Sequence, residues 1–199
     1  MRYFAVCPCG CNELFDPCHN FKLVFTDGAC SNNGQPNATS GIGIAMGTAP
    51  DYRRSISIDD SIDRGKPRTS QRAELLAAIR GLKRIDEVDM GFVDHVQHSD
   101  AAHKTHPNFL GIRENLPKFV VVTDSRYVVD GMTRWLPEWK KNSWRTSQGV
   151  EPANVDLFDD LDNLVTQYEM MGFQVGFWKI GREDNHEADS LAKQAARAA

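Results

Sequence analysis

The chain has 199 residues, 41% of them hydrophobic, and a formal net charge of −4, as expected for one folded domain with a short extension. It holds no apolar run of about eighteen residues, which excludes a helical membrane span; no membrane partner is expected. Net negative charge argues against binding nucleic acid by bulk Lys and Arg. The charge is uneven, however: Arg134, Lys140, Lys141 and Arg145 lie close together against Glu138 alone.

Residues 1–20 read as an N-terminal arm or small hairpin, rich in Cys, Pro and Asn. The stretch from Met1 to Cys7 is too short for a secretory signal, so the expectation is an intracellular protein of the cytoplasm or nucleus. Cys7, Cys9, Cys11 and Cys18, with His19, are zinc-ligand types, but their spacing lacks the usual C-x2-C pair. An odd total of five cysteines argues against a disulfide framework. Two readings stay open, a structural zinc site and a loose arm of reduced cysteines. The second is carried forward, because no apolar stripe precedes Phe21.

Phe21, Leu23, Phe25 and Asp27 alternate with Lys22, Val24 and Thr26, the pattern of a strand, expected to end in a turn region from Gly28 to Gly34. Residues 40–47 and 52–58 read as two more strands, making an antiparallel meander. A helix capped by Thr69 or Ser70 and running to Arg84 presents Leu75, Ile79 and Leu82 on one face. Residues 86–117 are a polar insertion with His95, His98, His103 and His106. It is read as a loop, since neither Cys nor a framing strand pattern supports a metal site there. Phe119 to Thr123 is a continuous apolar run, the mark of a buried central strand. A short helix at 125–132, a longer one at 154–171, a strand at 173–180 and a terminal helix at 185–198 follow. The expected fold is α/β, a mixed five-stranded sheet flanked by helices. The expected organisation is a Cys-rich arm at 1–20 and one domain at 21–199.

Four acidic residues stand in four separate segments: Phe25-Thr26-Asp27-Gly28, Gln71-Arg72-Ala73-Glu74, Val122-Thr123-Asp124-Ser125 and Glu187-Ala188-Asp189-Ser190. Singly, each has a plain explanation. Asp-Gly after a strand is commonly a turn, and a glutamate in a first helical turn is favoured by the helix dipole. Asp189 beside Lys193 reads as a surface helical acid. Together they make a different case. Neighbouring strands lie about 4.8 Å apart, so Asp27 and Asp124 at adjacent strand ends can share one cation. Clustered carboxylates holding two divalent ions can activate water and stabilise a departing oxygen in phosphodiester hydrolysis.

The four segments, in this order, resemble the motifs of type 1 ribonucleases H, and the resemblance runs from about Lys22 to Ala195. It implies the ribonuclease H-like fold, a monomer, and endonucleolytic cleavage of the RNA strand of an RNA–DNA hybrid, leaving 5′-phosphate and 3′-OH ends. It implies two Mg2+ ions, with Mn2+ able to substitute, on Asp27, Glu74, Asp124 and Asp189. It also implies substrate contacts from Asn33, from Ser70 and Gln71 toward the minor groove, and from Thr69 and Asn154 in a DNA-phosphate pocket. The segment from Trp135 to Ser147 resembles the family's basic protrusion. There Trp135, Trp139 and Ser147 would line a channel for the DNA strand, and Lys140 and Lys141 would meet phosphates.

Two departures accompany the match. Pro67 stands where the family's pocket usually has an arginine, Arg68 being the nearest. The loop before Asp189 has Arg182 and no histidine; His186 reads as a surface residue of the last helix. A separate N-terminal hybrid-binding domain is not expected from twenty residues. Rival readings are a retroelement-derived ribonuclease H domain and a non-catalytic hybrid- or RNA-binding module. The basic tryptophan protrusion counts against the first and the complete acidic set against the second.

Overall fold

A computed structural model describes residues 21–47, 49–88 and 118–199. Cys7, Cys9, Cys11, Cys18 and His19 lie outside the described residues, as do the four histidines of the insertion. The described strands are β1 (Phe21–Ser31), β2 (Thr39–Ala45), β3 (Arg53–Ser57), β4 (Lys118–Thr123) and β5 (Gln174–Lys179). They form one sheet in the order β3-β2-β1-β4-β5. β1 to β3 are antiparallel neighbours, and β4 runs parallel to both β1 and β5. The helices are α1 (Ser70–Val88), α2 (Arg126–Asp130), α3 (Leu136–Lys141), α4 (Val155–Met170) and α5 (His186–Ala198). No helix among the described residues is long and apolar enough to cross a membrane.

Alternation in the strands explains the layering. Val24, Ile42, Ile44 and Val121 pack in one core with Leu75, Leu82 and Phe158, which α1 and α4 supply. Phe25, Ala45 and Val122 pack on the other face against Ala188 of α5. That helix lies flat on the sheet because Ala188, Ala192, Ala195 and Ala196 are small and buried. Close approach also needs the glycines of β2: a Cβ on Gly43 would stand 1.9 Å from the Ala188 carbonyl oxygen.

Three boundaries differ from the sequence expectation. α1 continues past Arg84 to Val88, into the first residues of the expected insertion. β1 does not turn at Gly28 but continues through Ser31, pairing residue by residue with β2. Gly28 is needed for helix contact rather than for a turn, since a Cβ there would lie 2.2 Å from the Glu74 backbone nitrogen. The short helix at 125–132 also does not stop. A π-helical turn, Gly131–Trp135, carries α2 directly into α3. Gly131 leaves room there for Phe158, whose ring would be 2.3 Å from an added Cβ.

Candidate active site

Strand register sets the first pair of carboxylates. Phe25 of β1 lies opposite Val122 of β4, so two residues further on Asp27 and Asp124 come alongside each other at the same end of the sheet. Glu74 reaches them from the first turns of α1, pressed against Gly28, and Asp189 from the first turn of α5. All four line one cleft of about 400 Å3, together with Gly28, Ser70, Arg182, Lys193 and Arg197.

The electrostatics of the four differ. Burial, reinforced by the charges of Asp124 and Asp189, pushes the Asp27 carboxyl up to about 7 from an ordinary 3.8. Burial and the charges of Asp27 and Asp124 raise Glu74 well above the usual carboxylate range. Its Oε2 is buried and has no hydrogen-bond partner among the described residues. Such an oxygen is costly unless something positive or donating meets it. Burial also acts to raise Asp189, but it is outweighed. Lys193 Nζ at 2.7 Å and Arg182 Nη2 at 3.3 Å hold its two oxygens and bring its pKa below the ordinary value.

Among the described residues no three carboxylate, imidazole or thiolate groups are gathered as one metal-binding set. Like charges repel, and Asp189 is drawn to its two cations. The donor chemistry nevertheless fits a divalent ion. Mg2+ is ordinarily held by one or two carboxylates plus water and substrate phosphate, and the unpartnered Glu74 oxygen and the crowded Asp27 carboxyl are the groups a cation relieves.

The other expected residues fall into two regions. Near the start of α1, Asn33 Oδ1 accepts from the Ser70 N–H at 2.9 Å, and the Gly34 N–H donates to the Arg68 carbonyl at 3.0 Å. The β1–β2 loop is thereby fastened to the start of α1. Thr69 caps α1, its Oγ1 accepting from the Arg72 N–H at 3.2 Å. Ser70 faces the cleft, and Gln71 is exposed. Asn154 takes a left-handed backbone, φ 57°, at the entry to α4. Its side chain lies between Arg72, which donates to it at 3.3 Å, and the Tyr127 hydroxyl, to which it donates at 3.0 Å.

Arg72 links Thr69 to Asn154, and no pattern in the sequence singled it out. It is buried, and its guanidinium forks onto Asp63 at 2.8 and 2.7 Å and onto Asp156 at 3.0 Å on both oxygens. Arg72 pulls Asp156 down to about 2 and is itself held protonated, chiefly by Asp63. Arg68, the arginine nearest to the expected pocket position, is turned away onto Asp60 and the Asp63 and Lys66 carbonyls.

The second region is the protrusion. Trp135 is exposed, and its ring centroid lies 5.7 Å from Tyr127 and 6.1 Å from Trp139. Trp139 is half-buried, with its ring edge-on to Phe158 at 5.2 Å, and packs against the core. Lys140 is ion-paired with Asp162 of α4, and Lys141 with Glu138 at 2.8 Å. Ser147 is exposed, as is His186 at the start of α5.

A mixed sheet whose central strands end in paired carboxylates, with further acids from helices on either face, defines a ribonuclease H-like α/β protein. The RNase H family model matches residues 19–197. Human Ribonuclease H1 is 31% identical over 189 residues, covering 93% of this chain and 53% of that protein. Ribonuclease H of Wolbachia pipientis wMel is 32% identical over 178 residues, covering 87% and 93%. This chain belongs to the ribonuclease H family. It spans about half the length of the mammalian relatives it matches, such as mouse Ribonuclease H1 at 50%. Solved structures share the fold: LC11-RNase H1, isolated from compost by a metagenomic approach, at TM-score 0.55, 20% identity and coverage of 90% and 97%, and a foamy viral protease-reverse transcriptase at 0.58, 19%, 89% and 95%.

Proposed function

We propose that this chain is an endoribonuclease that hydrolyses the RNA strand of RNA–DNA hybrids. The observation that carries the proposal is the convergence of Asp27, Glu74, Asp124 and Asp189 in one cleft, with Asp27 pushed to about 7 and a Glu74 oxygen left without a partner. Such a site is built to receive positive charge. A structure of LC11-RNase H1 in complex with an RNA/DNA hybrid supports the choice of substrate.

In this reading the four carboxylates hold divalent cations, two Mg2+ ions with Mn2+ able to substitute. When bound, these supply an activated water and stabilisation of the departing oxygen. A water oxygen bonds to phosphorus as the water gives up a proton, the P–O3′ bond breaks, and O3′ takes up a proton, so the ends are a 5′-phosphate and a 3′-OH. The chain's own residues position the duplex. Asn33, Ser70 and Gln71, around the start of α1, face the minor groove, where the RNA strand's 2′-OH groups identify it. Thr69 and Asn154, held in register by Arg72, receive a DNA phosphate. Trp135, Trp139 and Ser147 offer the DNA strand surfaces that fit a bare deoxyribose, and Lys140 and Lys141 lie beside its phosphates.

Asp124→Asn tests the assignment. The variant keeps the side chain's shape but loses its charge, and it is expected to bind a hybrid with near wild-type affinity and to cut it at no measurable rate. Cleavage at the wild-type rate would remove Asp124 from the chemistry.

A further inference from the structure

The inference rests on the metal-dependent reading above and adds a residue to it. Asn185 stands immediately before α5 and is fully buried. Asn at that place ordinarily caps its own helix by accepting a hydrogen bond from a backbone N–H of the first turn. Asn185 makes no such bond. Its Nδ2 instead donates to Asp124 Oδ1 at 2.7 Å and to the Thr26 carbonyl at 3.0 Å. Its Oδ1 is left buried with no hydrogen-bond partner among the described residues. Both partners are acceptors, so the amide must present its N–H2 group to them, and the unpartnered oxygen follows from that choice.

The backbone of the same residue completes the pattern. The Asn185 carbonyl accepts the Asp189 N–H at 3.0 Å. One residue therefore touches Asp124 by its side chain, Asp189 by its main chain, and the peptide that leads into Asp27. These acids come from the end of β4, from α5 and from β1, three elements that Asn185 ties together by hydrogen bonds. The anchor on Asp124 is also neutral. Asp189 is held by cationic Lys193 and Arg182, whose charges oppose a metal ion, whereas an amide orients a carboxylate without adding a positive charge.

We propose that Asn185 is a positioning residue for the metal-binding acids. It forgoes its helix-capping role to fix one oxygen of Asp124 and to hold the Asp27 and Asp189 segments in register with it.

The decisive variant is Asn185→Ser. Serine is a good cap for α5 but too short to span both acceptors, so a structural role and a positioning role predict opposite results. Manganese affinity by calorimetry, the melting temperature in EDTA, and kcat and KM on an RNA–DNA hybrid are measured for the wild type, Asn185→Ser, Asp124→Asn and the double variant. The expected result is an Asn185→Ser protein with near wild-type melting temperature, Mn2+ affinity and kcat each lower by about 10- to 100-fold, and little change in KM. In the Asp124→Asn background the same substitution is expected to weaken Mn2+ binding less than it does in the wild type. Ser57→Ala is the control, because it cuts another tie of α5 to the sheet, Ser57 Oγ to the Ala195 carbonyl at 2.8 Å, and should leave kcat unchanged. Wild-type Mn2+ affinity in Asn185→Ser, with or without a drop in melting temperature, overturns the proposal, as does equal weakening in both Asp124 backgrounds. A wild type that does not cut hybrids defeats the substrate assignment instead, and the Mn2+ comparison still decides the role of Asn185.

Discussion

Asp27 carries a consequence for pH. Its carboxyl titrates near 7 in the folded protein against an ordinary 3.8. Between those values the folded state keeps a proton that the unfolded chain has released, so this residue's contribution to stability is complete below about pH 4 and is lost as the pH rises through 7. Glu74, raised for the same leading reason of burial, acts in the same direction; Asp189, lowered, acts in the opposite one. In EDTA, the melting temperature of the wild type relative to Asp27→Asn is expected to fall between about pH 5 and 8. Thermal melts across that range check the sign, and a difference that stays flat or rises would contradict it. The four acids were legible in the sequence as a set, in four short motifs in one order, although each alone had a plain explanation. Arg72 and Asn185 were not, because their partners Asp156, Asp124 and Thr26 are far away along the chain, and burial leaves no local pattern.

At the scale of elements, two contacts govern what the site tolerates. Gly28 allows β1 to touch the backbone of α1, and an added Cβ would collide with the Glu74 nitrogen at 2.2 Å. Gly28→Ala is expected to displace the first turns of α1, carrying Glu74 with it, and so to reduce both melting temperature and cleavage. A stable, fully active Gly28→Ala protein would show that the contact has slack. The protrusion divides between fold and substrate. Trp139 packs edge-on to Phe158, so Trp139→Ala should cost about 2–3 kcal/mol, less than the roughly 3–5 kcal/mol of a fully buried Trp because the ring is only half-buried. That corresponds to roughly 5–10 °C of melting temperature for a domain of this size. Trp135, exposed, should leave the melting temperature nearly unchanged when replaced by Ala while weakening hybrid binding. Equal melting losses in the two variants would refute this division. The tryptophan and lysine cluster was legible as a unit, but its inner and outer faces were not. The π-helical turn between α2 and α3 lies at Gly131 against Phe158, a neighbour distant in sequence.

Across the whole molecule, strand alternation and the apolar run at Phe119 to Thr123 were enough to give the order of the strands along the chain, because each period matches a face that is buried in the fold, whereas α3 was not expected. The end of β1 was misplaced at Gly28, since a glycine serving helix contact looks the same in sequence as one serving a turn. Close carboxylates repel without cations, so Mg2+ that binds the folded state should raise the melting temperature with increasing concentration, and Asp124→Asn should diminish the rise. The central claim is substrate-specific hydrolysis at the four-acid cleft. Its most direct measurement is digestion of matched RNA–DNA, RNA–RNA and DNA–DNA duplexes with Mg2+ and with EDTA, with the ends of the products analysed. Cuts are expected in the RNA strand of the hybrid alone, with 5′-phosphate and 3′-OH ends, and abolished by EDTA. Cleavage of RNA–RNA or DNA–DNA at a comparable rate, or hybrid cleavage that persists in EDTA, would contradict it.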